Sequence, residues 1–135
     1  MNKTVFLARL IGLYCLLAAL VMLAQRDTWI AAVSALVHDP ALMLLLGVVV
    51  VAAGLALVLA HNVWSGGALP IIVTLFGWAS LIKGALLLLL SPEMESRIFI
   101  TGLGYEQHPD SYALFLFLFG VYLTYAGFSA SEARR

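Results

Sequence analysis

Four long apolar runs decide what this sequence can fold into, because each is long enough to cross a lipid bilayer as a helix. They cover residues 5–24, 40–60, 69–90 and 112–128, and the hydrocarbon core of a bilayer takes about 20 helical residues. Of the 135 residues, 64% are hydrophobic and 10% are charged, against about 45–50% and about 25% in soluble domains. The sequence therefore predicts an all-α integral membrane four-helix bundle, with residues 1–135 as a single transmembrane domain.

The first apolar run also has features of a cleaved signal peptide. Lys3 would supply its basic start, and the Met-Leu-Ala of residues 22–24 a loose cleavage site. Arg9, however, interrupts the stretch that such a peptide keeps free of charge. We therefore expect this run to remain as the first membrane span.

A short amphipathic helix is predicted between the first two spans, at residues 27–38. Asp27 or Thr28 is suited to its N-cap. An apolar face of about three turns is typical of a helix that lies along the membrane surface. The apolar residues that recur at helical spacing are Trp29, Ile30, Val33, Leu36 and Val37.

The other connections differ in length. Residues 61–68 contain Ser65-Gly66-Gly67 and predict a tight turn, so the second and third spans should be antiparallel neighbours. The longest connection is expected at residues 91–111, where Gly102, Gly104 and Pro109 disfavour a continuous helix.

Basic residues set the expected orientation. Four spans place both termini on one side, and basic residues are enriched in cytoplasmic segments. We therefore expect the N- and C-termini in the cytoplasm, since four basic residues lie on their side and two on the other. The four are Lys3, Arg9, Arg134 and Arg135, and the two are Arg26 and Arg97.

Small residues recur seven positions apart in every span, which returns them to nearly the same face of a helix. Lipid tails are as apolar as leucine, so close backbone approach at small residues is what brings membrane helices together. We interpret these residues as helix-packing grooves, with a groove that faces a partner protein as the alternative. They are Gly12, Ala19, Gly47, Gly54, Gly77, Gly84, Ala113, Gly120 and Gly127.

Lys83 interrupts the third apolar run and is a candidate functional residue within the membrane. A charge at that depth costs several kcal/mol unless it is paired, hydrated or extended to the interface. Its stem could reach the interface, or it could pair with Asp39 and bind an anionic group. Ser80 is one turn away and Gly84 is adjacent, which favours the interior of the bundle.

His61, Asn62 and Trp64 end the second span at the expected cytoplasmic interface. His61 is seven residues after Gly54 and fourteen after Gly47, so it shares their packed face. We interpret His61 and Asn62 as caps of the last carbonyls and Trp64 as an interfacial anchor. A haem or proton-relay role for His61 is the alternative.

No cofactor or metal site is expected. Ligation of haem by two histidines needs a second histidine at the depth of His61, and the other two belong to the opposite side. The polar residues of that side match no ordered metal template. They are His38, Asp39, Glu106, His108 and Asp110.

The middle third of the chain combines aromatic, glycine and basic positions in a recognisable order. They are residues 61–64 (His-Asn-Val-Trp), Thr74, Gly77 with Trp78, Lys83 with Gly84, and Pro92. This order resembles that of a group of small, uncharacterised bacterial inner-membrane proteins with four spans. The resemblance implies a location in the bacterial plasma membrane and supplies no activity or catalytic residue.

The remaining sequence features exclude several classes of function. There is no nucleophile beside a base, no carboxylate pair within a span and no phosphate-binding glycine loop. A net charge of zero excludes a nucleic-acid binder that depends on clustered basic residues. The single cysteine, Cys15, permits no intrachain disulfide.

We therefore expect a non-enzymatic membrane protein that is an accessory or scaffolding subunit of a larger membrane assembly, or a homo-oligomer. Its partners would be membrane lipid and other membrane helices. One alternative is a small oligomeric channel or transporter with a polar path near Lys83. Another is a lipid- or quinone-binding protein that uses the aromatic fourth span.

Overall fold

The chain is all-helical, as the apolar runs predict. A computed structural model describes residues 2–91, 93–94, 97–98 and 107–132, without the side chains of residues 131 and 132. These residues contain five long helices and no strand. The helices are α1 (Lys3–Ala24), α2 (Arg26–His38), α3 (Pro40–Ala60), α4 (Ala68–Leu89) and α5 (Pro109–Glu132).

Four of the helices, α1, α3, α4 and α5, are long and apolar enough to cross a membrane. The span at residues 40–60 coincides with α3, whereas α5 extends beyond the apolar run 112–128 at both ends. Its early start has a physical reason, because Pro109 fits the first helical turn and Asp110 is favourable near a helix N-terminus. The connection predicted at residues 91–111 therefore ends before Pro109.

Polar side chains fix the starts of two spans. The Asn2 side chain accepts a hydrogen bond from Thr4 N (3.3 Å) at the start of α1. Asp39 Oδ1 accepts from Ala41 N (2.9 Å) and Leu42 N (3.2 Å) at the start of α3. Between α3 and α4, consecutive glycines at positions 66 and 67 have φ angles of 93° and 108°, which side chains on Cβ disfavour.

The spans pack as two antiparallel pairs. One is the α1–α5 pair, and the other is the α3–α4 pair. In the first, a Cβ atom added to Gly12 would lie 2.7 Å from Thr124 N and 3.1 Å from Gly120 O. In the second, a Cβ atom added to Gly84 would lie 2.6 Å from Val51 N. Both pairs therefore rely on direct backbone-to-backbone approach.

All nine small residues that recur at seven-residue spacing are buried. The glycines of α1 and α5 face each other, and those of α3 and α4 face the other member of their pair. The space beside each of these seven helical glycines is filled by the paired helix of the same chain. The glycines are Gly12, Gly47, Gly54, Gly77, Gly84, Gly120 and Gly127, and the buried alanines are Ala19 and Ala113.

The two pairs meet at one end of the molecule, which we call the His61 end because residues 61–67 lie there. The α4 residues that pack against the α1–α5 pair come from the first half of α4. Phe76 stacks on Phe119 of α5 with ring centroids 6.0 Å apart. The buried cluster there consists of Leu7, Ala8, Ile11, Cys15, Val73 and Leu123.

At the opposite end, which we call the Asp39 end, α2 covers the α3–α4 pair. Val37 is buried against Met43 and Leu87, with Val33 and Leu36 packed beside them. Part of the apolar face predicted for this helix therefore contacts protein. Its position along a membrane surface stays a prediction.

Several residues named in the sequence analysis lie outside the described residues. They are Pro92, Gly102, Gly104, Glu106, Arg134 and Arg135.

Candidate functional site

His61 is buried at the point where the two helix pairs meet. It follows the last residue of α3, and its backbone N–H donates to Leu57 O (2.8 Å), which completes the end of that helix. Its side chain turns inward, and only 3% of the residue is exposed. The backbone of His61 thus closes the last turn of α3, while the imidazole forms a separate polar site.

Both nitrogens of the imidazole are hydrogen-bonded to threonine hydroxyls from other helices. Nε2 lies 2.9 Å from Thr4 Oγ1 on α1, and Nδ1 lies 3.2 Å from Thr74 Oγ1 on α4. Thr74 is completely buried. A polar group in an apolar interior is costly unless it is hydrogen-bonded, so the three side chains depend on one another.

The hydrogen bonds of Thr74 assign the tautomer of His61. Thr74 Oγ1 donates to Val63 O (2.9 Å) and accepts from Val63 N (3.0 Å). A hydroxyl has one proton and two lone pairs, so its remaining lone pair must accept from Nδ1–H of His61. The neutral ring then has a bare Nε2, and the Thr4 hydroxyl donates to it.

This arrangement, which we call the His61 joint, consists of Thr4, His61, Thr74 and the Val63 backbone. It ties α1 of the α1–α5 pair to both members of the α3–α4 pair. An open depression of about 440 Å³ lies beside it, lined by Lys3, Phe6, Leu7 and Ala60.

Asn62 and two tryptophans form a second polar group at the same end. Asn62 Oδ1 accepts from Trp64 Nε1 (2.8 Å) and from Trp78 Nε1 (3.4 Å). Trp64 is 56% exposed. Tryptophans with an apolar body and a bonded N–H suit a membrane interface, and the anchoring role of Trp64 stays a prediction.

Arg9 is held at the His61 end by α5. Its Nε donates to Gly127 O (3.1 Å), and its guanidinium carbon lies 4.1 Å from the centroid of the Phe128 ring. The α1–α5 pair therefore accommodates this charge by contact with protein.

The structure places Lys83 and Ser80 on one face of α4 and Asp39 elsewhere. Lys83 is exposed and lies seven residues after Phe76, which returns it to the side that faces the α1–α5 pair. Ser80 is half-buried on the same side. Asp39 Oδ1 accepts hydrogen bonds from the backbone at the start of α3. The channel and the lipid- or quinone-binding alternatives stay predictions.

Other polar residues of the Asp39 end have local partners. His38 Nδ1 lies 2.7 Å from Ser34 O, and Arg26 Nε pairs with Asp110 Oδ1 at 3.0 Å. Both side chains of that ion pair are more than half exposed, where such pairs contribute little in water. Among the described residues, no group of three histidine, cysteine or acidic side chains is placed to hold a metal ion.

Four helices that are long and apolar enough to cross a membrane give the described chain the architecture of a multi-span helical membrane protein. Comparisons of the chain with protein-family models, curated proteins and solved structures gave no match. The resemblance to small bacterial inner-membrane proteins therefore stays a prediction.

Sequence reasoning missed two groups of residues. Thr4 and Thr74 are the hydroxyls that complete the His61 joint, and they lie 57 and 13 positions from His61. A row of alanines spaced by four on α3 is exposed on the side away from α4. The spacing of these alanines can be read from the sequence, but their exposure depends on which face of α3 is covered by α4. The alanines are Ala52, Ala56 and Ala60.

Proposed function

We propose that the chain is a non-enzymatic accessory or scaffolding subunit, which packs through α3 against transmembrane helices of a larger assembly or a second copy. The observation that carries the proposal is the exposed alanine row of α3. Ala56 lies two residues from Gly54, so it points almost directly away from α4. The small side chains of this row allow another helix to approach the backbone of α3 closely, whereas the leucines around them keep it further away.

The position of α3 in the fold supports the proposal. Its spanning window is 17% buried, against 44% for α1. Its neighbours within the chain are α4 along one face, α2 at its start, and α1 beside Leu57 and Ala60 at its end. Because leucine and valine gain little by leaving lipid for a helix surface, association depends on small residues that permit tight packing.

The test is substitution of Ala56 by leucine. We expect Ala56→Leu to weaken the association at least about tenfold, because about 1.4 kcal/mol of lost packing has that effect. The measurement is native mass spectrometry of complexes released from native membranes in mild detergent. Ala79→Leu, at an exposed position of α4, is the matched control and should leave the complex intact.

Two outcomes would contradict the proposal. One is recovery of the unsubstituted protein as a lone monomer under every mild condition. The other is equal loss of the complex with Ala56→Leu and Ala79→Leu, which would show that α3 has no special role.

A further inference from the structure

The open depression beside the His61 joint has the composition of a ligand site. It has a volume of about 440 Å³ and is lined by Lys3, Phe6, Leu7 and Ala60. Sites for small molecules have volumes of about 300–1,000 Å³ and are mostly apolar, with a few polar groups that fix the orientation of the ligand. Here three of the four lining residues are apolar and the fourth is a cation.

The chemistry of the depression changes with depth in the membrane. Lys3 is the first residue of α1 and Ala60 is the last residue of α3, so both lie at the end of a span, where the hydrocarbon core gives way to lipid headgroups. Phe6 and Leu7 follow Lys3 by three and four residues, which places them about 4.5–6 Å deeper along α1. Phe6 is 48% exposed. The depression therefore has a cation at its mouth and an open apolar wall below it.

The charge of Lys3 is not neutralised within the described part of the chain. Lys3 is exposed, and no carboxylate among the described side chains lies at the His61 end. Arg9, the other cation of α1, is already engaged by α5. The carboxylates whose side chains are described all lie at the Asp39 end. They are Asp27, Asp39, Glu93 and Asp110.

We propose that this depression binds an anionic phospholipid, with the phosphate at Lys3 and the start of one acyl chain along Phe6, Leu7 and Ala60. Charge complementarity favours an anionic headgroup, because a basic residue near the membrane surface attracts anionic lipid. The apolar wall favours a lipid over free phosphate, because only the lipid has apolar surface to remove from water. Lipid binding here requires no partner on α3, since three of the four lining residues belong to α1.

The experiment is native mass spectrometry of the protein purified in detergent and titrated with phosphatidylglycerol or phosphatidylcholine, both with palmitoyl and oleoyl chains. The first phosphatidylglycerol should bind about fivefold more tightly than the first phosphatidylcholine, since one basic residue contributes about 1 kcal/mol at an anionic surface. Lys3→Gln should bring this ratio to about one, and Lys3→Arg should retain it because the cation is kept. Arg26→Gln, which removes a positive charge at the Asp39 end, is the matched control and should leave the ratio unchanged.

A second substitution tests the apolar part of the site. Ala60→Phe places a ring in the depression and should weaken the binding of both lipids, whereas Ala56→Leu, one turn earlier on α3, should leave both affinities unchanged. Equal affinities for the two lipids in the unsubstituted protein, equal effects of Lys3→Gln and Arg26→Gln, or unaltered lipid binding by Ala60→Phe would overturn the proposal. Full displacement of the lipid by inorganic phosphate would do the same.

The same variants keep this proposal separate from that of docking through α3. Ala56→Leu is expected to weaken the association with other helices while lipid binding persists. Lys3→Gln is expected to lower the preference for anionic lipid while the association persists, because Lys3 is on α1. Either proposal can therefore fail without the other.

Discussion

Gly54→Ala is expected to lower the free energy of unfolding by about 3 kcal/mol, although alanine is the better helix former by about 1 kcal/mol. The added Cβ atom would clash with the Leu81 backbone nitrogen and would lie 2.7 Å from Leu81 Cα. These are backbone atoms of α4, which cannot rotate away as a side chain can. The whole α3–α4 pair must therefore separate to admit one methyl group.

Gly47→Ala is the matched control within the same helix. Its Cβ atom would meet Leu88 Cδ2 at 2.7 Å, at the far end of a flexible side chain. We expect a loss below about 1 kcal/mol, since a side chain can move to another rotamer. Equilibrium unfolding in mixed micelles, followed by energy transfer between α3 and α4, measures both. Equal losses for the two variants would show that the backbones are not in direct contact.

Thr74→Val is expected to cost about 2 kcal/mol, although valine has nearly the same shape. The substitution leaves Nδ1–H of His61 and both backbone groups of Val63 without their partner. A buried group that loses its partner costs about 1–3 kcal/mol, and relaxation within a membrane reduces the sum. The same unfolding experiment measures the loss.

Thr124→Val separates the effect of hydrogen bonding from that of shape. Thr124 Oγ1 is buried with no hydrogen-bond partner among the described residues, so valine removes a polar atom and no bond. We expect stability to change by less than about 0.5 kcal/mol or to rise. A loss for Thr124→Val as large as that for Thr74→Val would mean that the His61 joint adds nothing beyond packing.

Hydropathy and spacing were sufficient to predict the spans and their packing faces. An apolar run of about 20 residues has few alternatives to a membrane helix, and α3 begins and ends where its run does. Glycines seven apart lie on one face whatever helix covers it. The pairing of α1 with α5 was not predictable in this way, because small-residue spacing is the same in all four spans.

The functional site was predicted in part. His61 falls on the same helical face as Gly47 and Gly54, which predicts a packed position, and the residue is buried in the structure. Its bonds to Thr4 and Thr74 depend on the depth at which three different helices begin or end, which spacing along one helix does not give. For Lys83, spacing indicated the bundle side of α4, whereas its exposure follows from how little the two pairs touch beyond Phe76.

The most direct test of the account is the side of the membrane on which each connection lies. Cysteines at Ser65 and Gln107, both exposed, are labelled with a membrane-impermeant maleimide in intact cells that express a Cys15→Ala background. Four crossings with cytoplasmic termini predict that Gln107→Cys reacts at once and that Ser65→Cys reacts only after the membrane is permeabilised. Reaction of both cysteines in intact cells, or of neither, would contradict the four-span arrangement.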